Sequence, residues 1–209
     1  MIFIWVLNIS NMSASTLWVD DDSPSGDGMR ETPFPTINEA VASASPYDTV
    51  YVLPGTYEEN LVIDIPLSLI GSGASVTSII SANSTLTFND DCEIRGFTIE
   101  SGCVYCSSGV ARISENVIQF KGTLGSWGIF VQCDSSFINK NFVTGFDTPI
   151  FVHPPFAPYN GFCEIRNNIL FSLNDFRGLW IESRIDLRAH RANIQPCGYG
   201  LRLSPVDMV

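Results

Sequence analysis

The sequence predicts an all-β solenoid, a fold in which short strands wind through stacked coils. A hexapeptide with aliphatic residues at its first and last positions recurs along the chain, and its copies begin 19, 25, 27 and 24 residues apart. The copies start at Ile94, Ile113, Ile138, Ile165 and, in weaker form, Ala189. A second track of aliphatic strands runs between them, at 128–131, 149–152, 178–181 and 200–203. Two interleaved tracks that share one period indicate coils with several strands each.

The composition agrees with one globular domain and excludes two classes of protein. The chain has 209 residues, 22 acidic and 11 basic, and a net charge of −11. A nucleic-acid-binding protein needs a basic surface to neutralise phosphates, so nucleic acid is not an expected partner. The hydrophobic fraction of 45% is enough for a large core. No run approaches the roughly 18 apolar residues of a membrane helix, so we expect no membrane span.

Residues 1–15 have two interpretations. The first seven residues are apolar but carry no positive charge before them, which a secretory signal would have, although Ser13-Ala14-Ser15 offers small residues for cleavage. The segment is therefore either a degenerate signal peptide or an N-terminal strand. The first alternative would place the protein outside the cell or on its surface.

Residues 16–209 are predicted to form a single domain that begins with an N-terminal cap over 16–48. Thr36 and Glu39 have the spacing of a capping box, in which each side chain binds an amide at the start of a helix. Apolar residues at helical spacing then predict a short helix over 37–45. Such a cap would cover the strand edges of the first coil, which could otherwise pair with another chain.

The coils are predicted over 49–209, about six of them at about 25 residues each. The last strand of the second track ends at Leu203, six residues before the C-terminus, and no cap follows it. We therefore expect an open C-terminal edge. Such an edge indicates a truncated chain or self-association through the last coil.

Each copy of the first track should bend in its middle. Its aliphatic ends are five residues apart, an odd offset that would point them to opposite faces of a straight strand. Asn116, Asn141 and Asn168 occupy the bend, and asparagine tolerates a left-handed backbone and can form hydrogen-bonded ladders. Gly96-Phe97 departs from this pattern in the first copy.

Two groups of motifs carry a family resemblance. Residues 19–73 contain V-D-D-D, G-D-G, P-F-P-T-I-N-E-A, D-T-V-Y-V-L-P-G-T-Y-E-E-N and L-S-L-I-G, and the later copies read I-R-G-F-T-I and I-x-x-N-x-I. The chain thus resembles right-handed parallel β-helix proteins of the pectin lyase-like superfamily, such as pectin methylesterases and secreted proteins built from parallel β-helix repeats. The resemblance implies a right-handed parallel β-helix and a polysaccharide partner on an outer sheet face. It says little about activity, because one fold hosts many chemistries.

The cysteines are interpreted from their places in the coils. Cys92 and Cys163 each lie two residues before an inward isoleucine, so both should point inward, about 14 Å apart and too far for a disulfide. Cys133 is likewise predicted to be a core thiol. Cys103 and Cys106 form a lone C-x-x-C motif, which lacks the second pair of a zinc site. A local disulfide and two free thiols both remain open for this motif.

The second track predicts two columns on an outer sheet face. The third residue of each strand and the residue two positions later should both point outward. The first column holds Phe130, Phe151, Trp180 and Arg202, and the second holds Gln132, His153, Glu182 and Ser204. Aromatic rings suit the apolar faces of sugars, and polar side chains suit their hydroxyls. The alternative is that the aromatic column only packs under a loop, such as 154–161, or against another protein.

Catalytic motifs of the superfamily are not found. The G-H-G and R-I-K motifs of polygalacturonases, the W-x-D-H and R-x-P-x-x-R motifs of pectate lyases, and the Q-A-V-A and D-F-I-F-G segments of pectin methylesterases have no match. Catalysis as a lyase, hydrolase or esterase therefore stays open. Paired carboxylates could hydrolyse a glycoside, and the coils offer four candidates, Asp134, Asp147, Asp175 and Glu182.

A weak calcium site is the one metal prediction. Asp20, Asp21, Asp22 and Asp27 offer hard oxygen ligands but lack EF-hand spacing, and an acidic turn explains them as well. No other cofactor is expected. The sequence thus predicts an extracellular or surface protein that binds or processes polysaccharide, and the alternative is a noncatalytic structural repeat protein without a small ligand.

Overall fold

The computed structural model describes residues 14–81, 86–100, 102–121, 127–153, 161–172, 177–182, 185–190, 193–195 and 199–204, with side chains as far as Phe171. The elements in chain order are β1 (Thr16–Val19), α1 (Ile37–Ser43), β2 (Thr49–Val52), β3 (Gly55–Glu58), β4 (Val62–Ile63), β5 (Leu67–Gly71), β6 (Thr77–Ile80), β7 (Leu86–Phe88), β8 (Cys92–Arg95), β9 (Thr98–Glu100), β10 (Val104–Cys106), β11 (Val110–Ser114), β12 (Val117–Gln119), β13 (Trp127–Val131), β14 (Ser135–Asn139), β15 (Phe142–Phe146), β16 (Thr148–Val152), β17 (Gly161–Arg166), β18 (Ile169–Ser172), β19 (Arg177–Glu182), β20 (Ile185–His190), β21 (Asn193–Gln195) and β22 (Tyr199–Ser204).

The strands form three parallel sheets, and each coil contributes one strand to every sheet. Sheet 1 has the order β1-β2-β5-β8-β11-β14-β17-β20, sheet 2 the order β4-β7-β10-β13-β16-β19-β22, and sheet 3 the order β3-β6-β9-β12-β15-β18-β21. This arrangement is a parallel β-helix, so the predicted all-β solenoid with a short helix is confirmed. The described strands make seven coils rather than about six, because some coils are short. Thr49 and Leu67, for example, begin successive coils only 18 residues apart.

The interior is built from columns of aliphatic side chains. Leu69, Ile94, Ile113, Ile138 and Ile165 are paired in register across sheet 1 and are each 0% exposed. Neighbouring strands of a sheet lie about 4.8 Å apart, so these side chains contact one another along the helix axis. The predicted stacking of the first track is therefore confirmed.

In three coils the bend is a left-handed residue followed by a buried asparagine, Asn116, Asn141 or Asn168. The positive φ angles belong to Glu115 (58°), Lys140 (55°) and Asn167 (54°), one residue before the asparagines that we expected to adopt them. That expectation was wrong by one position, because the asparagine side chains are directed into the interior instead. Gly96, with φ 79°, takes the same place in the first copy, so this copy follows the pattern rather than departing from it.

The asparagine ladder itself is confirmed. Asn141 Nδ2 donates to Asn168 Oδ1 (3.0 Å), and Asn116 Nδ2 donates to Asn141 Oδ1 (3.2 Å). The ladder also begins earlier than predicted, since Phe97 N donates to Asn116 Oδ1 (3.1 Å). Each amide in the ladder therefore joins two neighbouring coils inside the protein.

β1 pairs with β2 of the first coil, and the helix that follows differs from the prediction in one contact. Thr36 Oγ1 accepts from Glu39 N (3.2 Å), which is half of the capping box. The carboxylate that binds the first amides belongs to Glu59, which accepts from Ile37 N and Asn38 N at 2.8 Å each. Position 59 is distant in sequence, so local spacing did not reveal it.

α1 is shorter than predicted, and the cap loop covers the outer edge of β1. α1 ends at Ser43, two residues earlier than predicted, because Ala44 is already extended (φ −73°, ψ 148°). The edge of β1 away from β2 is covered by the cap loop, where Phe34 N donates to Trp18 O (2.8 Å). Within the described residues, no helix is long and apolar enough to cross a membrane.

Candidate functional site: two columns on sheet 2

The outer face of sheet 2 carries an aromatic column that runs along the helix axis. Ile129 and Val131 point into the core with 0% and 1% exposure, so Phe130 between them points outward. Strand register places Tyr105 and Phe151 on either side of Phe130. We call the set Tyr105, Trp127, Phe130 and Phe151 the aromatic column.

The rings of this column stack on one another. The centroids of Phe130 and Phe151 lie 4.9 Å apart at an interplanar angle of 25°, and Tyr105 is 4.9 Å from Phe130. Trp127 lies 5.1 Å from Phe130 and stacks on Phe151 at 5.7 Å and 24°. Because the ring faces cover each other, the aromatic surface is less open than the sequence suggests.

Phe151 is the clearest departure from the predicted exposed ladder. Its side chain is only 6% exposed, although it lies outside the interior cluster formed by Ile150 and Val152. Trp127 is 38% exposed and is the described ring of this column with the largest open fraction. A sugar face would therefore meet Trp127 rather than Phe151.

A polar column runs beside the aromatic one. Tyr105 Oη donates to Gln132 Oε1 (3.2 Å), and Gln132 Nε2 lies 3.4 Å from His153 Nδ1. Gln132 therefore joins the Tyr105 hydroxyl to the imidazole of His153 across three coils. Burial raises the pKa of Tyr105, so its hydroxyl keeps its proton at neutral pH.

The polar column continues towards the N-terminal coils. Asn89 Nδ2 donates to Asp64 Oδ1 (2.6 Å), and Ser107 Oγ donates to Asn89 Oδ1 (2.8 Å). We call the set Asp64, Asn89, Ser107, Gln132 and His153 the polar column. It gives sheet 2 a band of amide, hydroxyl and imidazole groups across five successive coils.

The predicted residues of the last two coils are placed by their backbones. Trp180 pairs with Phe151, and Arg202 pairs with Trp180, so both continue the register of the aromatic column. Glu182 pairs with Ser204 in the register of the polar column. The side chains of Trp180, Glu182 and Arg202 lie outside the described residues.

Sequence analysis missed Trp127 and Tyr105. Trp127 stands directly before the Gly128 strand and looked like part of the preceding loop. Tyr105 was hidden in the C-x-x-C motif, although Val104-Tyr105-Cys106 has the same apolar-aromatic-apolar pattern as Ile129-Phe130-Val131. Aligning that motif to the second track would have revealed the extra coil.

The carboxylate candidates for hydrolysis are not brought together where they are described. Asp147 directly precedes β16 and Asp134 follows β13, so a five-residue strand separates them by about 16 Å. Glycosidase pairs are about 5–10 Å apart. Asp175 and the side chain of Glu182 lie outside the described residues, and the pair Asp134 and Asp147 therefore supplies no hydrolytic site.

The acidic turn of the cap brings three of the four predicted calcium ligands together. Carboxylate oxygens of Asp20, Asp21 and Asp22 lie within 4.8 Å of one another and could hold a cation. Asp21 Oδ2 also accepts from Thr56 N (2.8 Å), so it already fastens the cap to β3. Asp27 belongs to a separate turn, where a hydrogen bond from the Thr32 hydroxyl lowers its pKa.

The five described cysteines are free thiols. Cys92, Cys133 and Cys163 are at most 5% exposed, which confirms the predicted core positions. The C-x-x-C motif contains two free thiols rather than a disulfide, and burial raises the pKa of Cys103 to about 12. A depressed pKa, which a reactive cysteine needs, is therefore not found there.

A depression lies on the outer face of sheet 1. It has a volume of about 280 Å³, and its polar lining includes Tyr47, Ser68, Asp91, Glu93 and Arg112. Its carboxylates are already engaged, since Asp91 Oδ1 accepts from Val110 N (2.8 Å) and Glu93 pairs with Arg95 (3.3 Å). The columns of sheet 2 are the better candidate site.

The chain matches no protein-family model and no curated protein sequence. Its class is that of a parallel β-helix protein with adjacent aromatic and polar columns on one sheet. The functional proposal below depends on that geometry.

Proposed function

We propose that this protein is an extracellular or cell-surface member of the pectin lyase-like superfamily that binds a neutral polysaccharide on the outer face of sheet 2. The observation that carries the proposal is the partly exposed ring of Trp127, which packs on Phe130 and Phe151. The hydrogen-bonding groups of the polar column follow two residues after Phe130 and Phe151 on the same sheet. Sugar rings stack their apolar faces on aromatic side chains while their hydroxyls seek hydrogen bonds. The two columns supply both kinds of contact side by side.

The direction of the columns supports an extended ligand. Both run perpendicular to the strands and repeat with each coil, about every 4.8 Å, and Trp127 adds a second ring to the coil of Phe130. A polysaccharide along this line would pass Tyr105 and Trp127 and continue towards Trp180, with Gln132 and His153 at its edge. Such a ligand meets the protein coil by coil, so affinity should rise with chain length.

A neutral glycan is favoured over an acidic one by charge. The protein carries a net charge of −11, which repels a polyanion at long range. The described aromatic column contributes no cation, and Asp64 adds a carboxylate to the polar column. We propose binding rather than processing, because Asp134 and Asp147 are too far apart to act on one glycosidic bond.

A second candidate function follows from the stacking of the rings. Phe130 and Phe151 face each other at 25°, and Phe151 is nearly fully buried. Such a column stabilises the coils by itself, which favours a noncatalytic structural repeat protein without a small ligand. The two candidate functions differ in whether replacing Trp127 should lower the affinity for a polysaccharide.

Affinity electrophoresis in gels that contain single polysaccharides, neutral and acidic, distinguishes them. We expect retardation by a neutral glycan and a roughly tenfold loss of affinity in Trp127→Ala, the effect of one aromatic stacking contact. Phe137→Ala is the matched control, because Phe137 packs against Phe162 (5.5 Å between ring centroids) on the outer face of sheet 1. Circular dichroism verifies that both variants are folded.

Three results would contradict the proposed binding of a neutral polysaccharide at the aromatic column. Unchanged retardation of Trp127→Ala would exclude the aromatic column as the binding site. Absence of retardation by every polysaccharide would favour the structural alternative. Retardation by acidic glycans alone would contradict the charge argument.

A further inference from the structure

Three thiols meet inside the coil stack, beneath the strand that carries Tyr105. Cys92 begins β8 in sheet 1, and Cys106 ends β10 in sheet 2 of the same coil. Their Sγ atoms are 3.3 Å apart, closer than ordinary contact between two sulfur atoms. Cys133, in the next coil, donates from Sγ to Cys106 O (3.3 Å). All three side chains are at most 5% exposed.

We propose that Cys92 and Cys106 form an intramolecular disulfide when the chain folds in an oxidising environment. A disulfide requires an S–S distance of about 2.05 Å, so each sulfur atom must approach by only about 0.6 Å. The two cysteines are 14 residues apart and lie on different sheets. The bond would therefore close one coil across its interior.

The geometry selects this pair among the described cysteines. Cys163 is three coils from Cys92 in the same column, which is too far for a bond. Cys133 also lies beside Cys106, but its Sγ donates to the Cys106 carbonyl oxygen, whereas Cys92 Sγ contacts Cys106 Sγ itself. Cys103 precedes β10 and is half-buried outside the interior cluster.

The oxidant is a small-molecule disulfide such as oxidised glutathione. The Cys92 thiolate attacks one sulfur of the oxidant, which forms a mixed disulfide and releases one thiolate. The Cys106 thiolate then attacks Cys92 Sγ, which forms the protein disulfide and releases the second thiolate. The two protons lost by the cysteines are taken up by the two released thiolates, so the exchange is balanced.

The bond must form before the coil closes. In the folded protein, hydrogen bonding with Cys133 and Cys92 that favours the protonated thiol, together with burial, holds the pKa of Cys106 well above its usual range. Because the thiolate is the attacking species, oxidation of the folded thiols should be slow. Refolding is therefore the step at which the oxidant has to be present.

Peptide mapping of the whole protein tests the proposal directly. The protein is refolded with oxidised and reduced glutathione, alkylated and digested with trypsin without reduction. Trypsin separates Cys92 (peptide 31–95) from Cys103 and Cys106 (peptide 96–112), and Cys103→Ser makes the assignment unique. We expect a linked 31–95/96–112 product that disappears on reduction, with a mass about 2 Da below the sum of the reduced peptides.

Thermal unfolding gives a second, independent measurement. The oxidised protein should unfold about 5–10 °C above the reduced protein, the effect of closing a loop of this length. Cys163→Ala should keep this difference, and Cys106→Ala should remove it. If Cys106→Ala does not fold, peptide mapping of the protein without that substitution still shows whether Cys92 and Cys106 are linked.

Three results would overturn the proposal. The first is complete alkylation of both Cys92 and Cys106 after oxidative refolding. The second is a linked product that joins Cys106 to Cys133 or to Cys103 instead. The third is an equal unfolding temperature for the oxidised and the reduced protein. A loss of glycan binding would leave it unaffected, because the mapping does not depend on the ligand.

Discussion

Replacing Asn141 by alanine should destabilise the protein by about 4 kcal/mol. The side chain is 1% exposed and makes four hydrogen bonds. Oδ1 accepts from Asn116 N (3.1 Å) and Asn116 Nδ2 (3.2 Å), and Nδ2 donates to Ile113 O (2.9 Å) and Asn168 Oδ1 (3.0 Å). Each buried hydrogen bond contributes roughly 1 kcal/mol, and the partners left behind cannot reach water. The melting temperature should fall by roughly 10 °C.

Asn139 provides the matched control for this substitution. It lies two residues earlier in the same coil and accepts one hydrogen bond, from Asn167 Nδ2 (3.2 Å), at the surface. Asn139→Ala should therefore cost less than about 1 kcal/mol. Urea unfolding followed by circular dichroism compares the two variants with the parent protein. Equal destabilisation by both would refute the view that the buried amide ladder joins the coils.

Three further predictions concern the cap, the bend and the buried thiols. Glu59→Gln should destabilise the protein by about 1 kcal/mol in urea unfolding, because it removes the negative charge that binds Ile37 N. Gly96→Ala should cost at least about 2 kcal/mol in the same assay, since φ is 79° and a Cβ would lie 2.7 Å from Gly71 O. Burial raises the pKa of Cys163 from 9.0 to about 12. The contribution of this thiol to the stability of the protein is therefore full below pH 9 and is lost as the pH rises towards 12. Cys163→Ala should make the decline of the urea midpoint above pH 9 shallower.

Each of these predictions has a contradicting outcome. A Glu59→Gln variant as stable as the parent would mean that Thr36 alone caps α1. Full stability of Gly96→Ala would show that the bend tolerates a side chain at the left-handed position. An identical pH profile with and without Cys163 would assign the alkaline loss of stability to other groups.

The repeat pattern was sufficient to predict the architecture. Side-chain direction in a strand alternates strictly, so the positions of Ile113 and Ile138 in their copies determine which residues point inward and which lie in register. The same alternation placed Cys92, Ala111, Ser136 and Cys163 in one interior column, and the strand register confirms it. The architecture of a solenoid can therefore be predicted from the local periodicity of its sequence.

The capping contact of α1, the left-handed residues and the exposure of the aromatic column depend on contacts that sequence spacing does not predict. Glu59 reaches the start of α1 from 22 residues away, and the left-handed residue of each bend is the neighbour of the asparagine that marks it. The rings of Trp127 and Phe130 both pack on Phe151, and ring orientation depends on side-chain torsion angles rather than on register. The pattern therefore predicted which residues share a face but not how open that face is.

Methyl nuclear Overhauser effects between isoleucine side chains test the stacking of the coils most directly. In protein labelled at isoleucine methyl groups, Ile113 should show cross-peaks to Ile94 and Ile138, its register neighbours about 4.8 Å away. Ile113 and Ile165 are two coils apart, about 10 Å, and should show a far weaker cross-peak or none. A missing contact between Ile113 and Ile138, or a stronger one between Ile113 and Ile165, would contradict the coil register on which the binding site and the disulfide both depend.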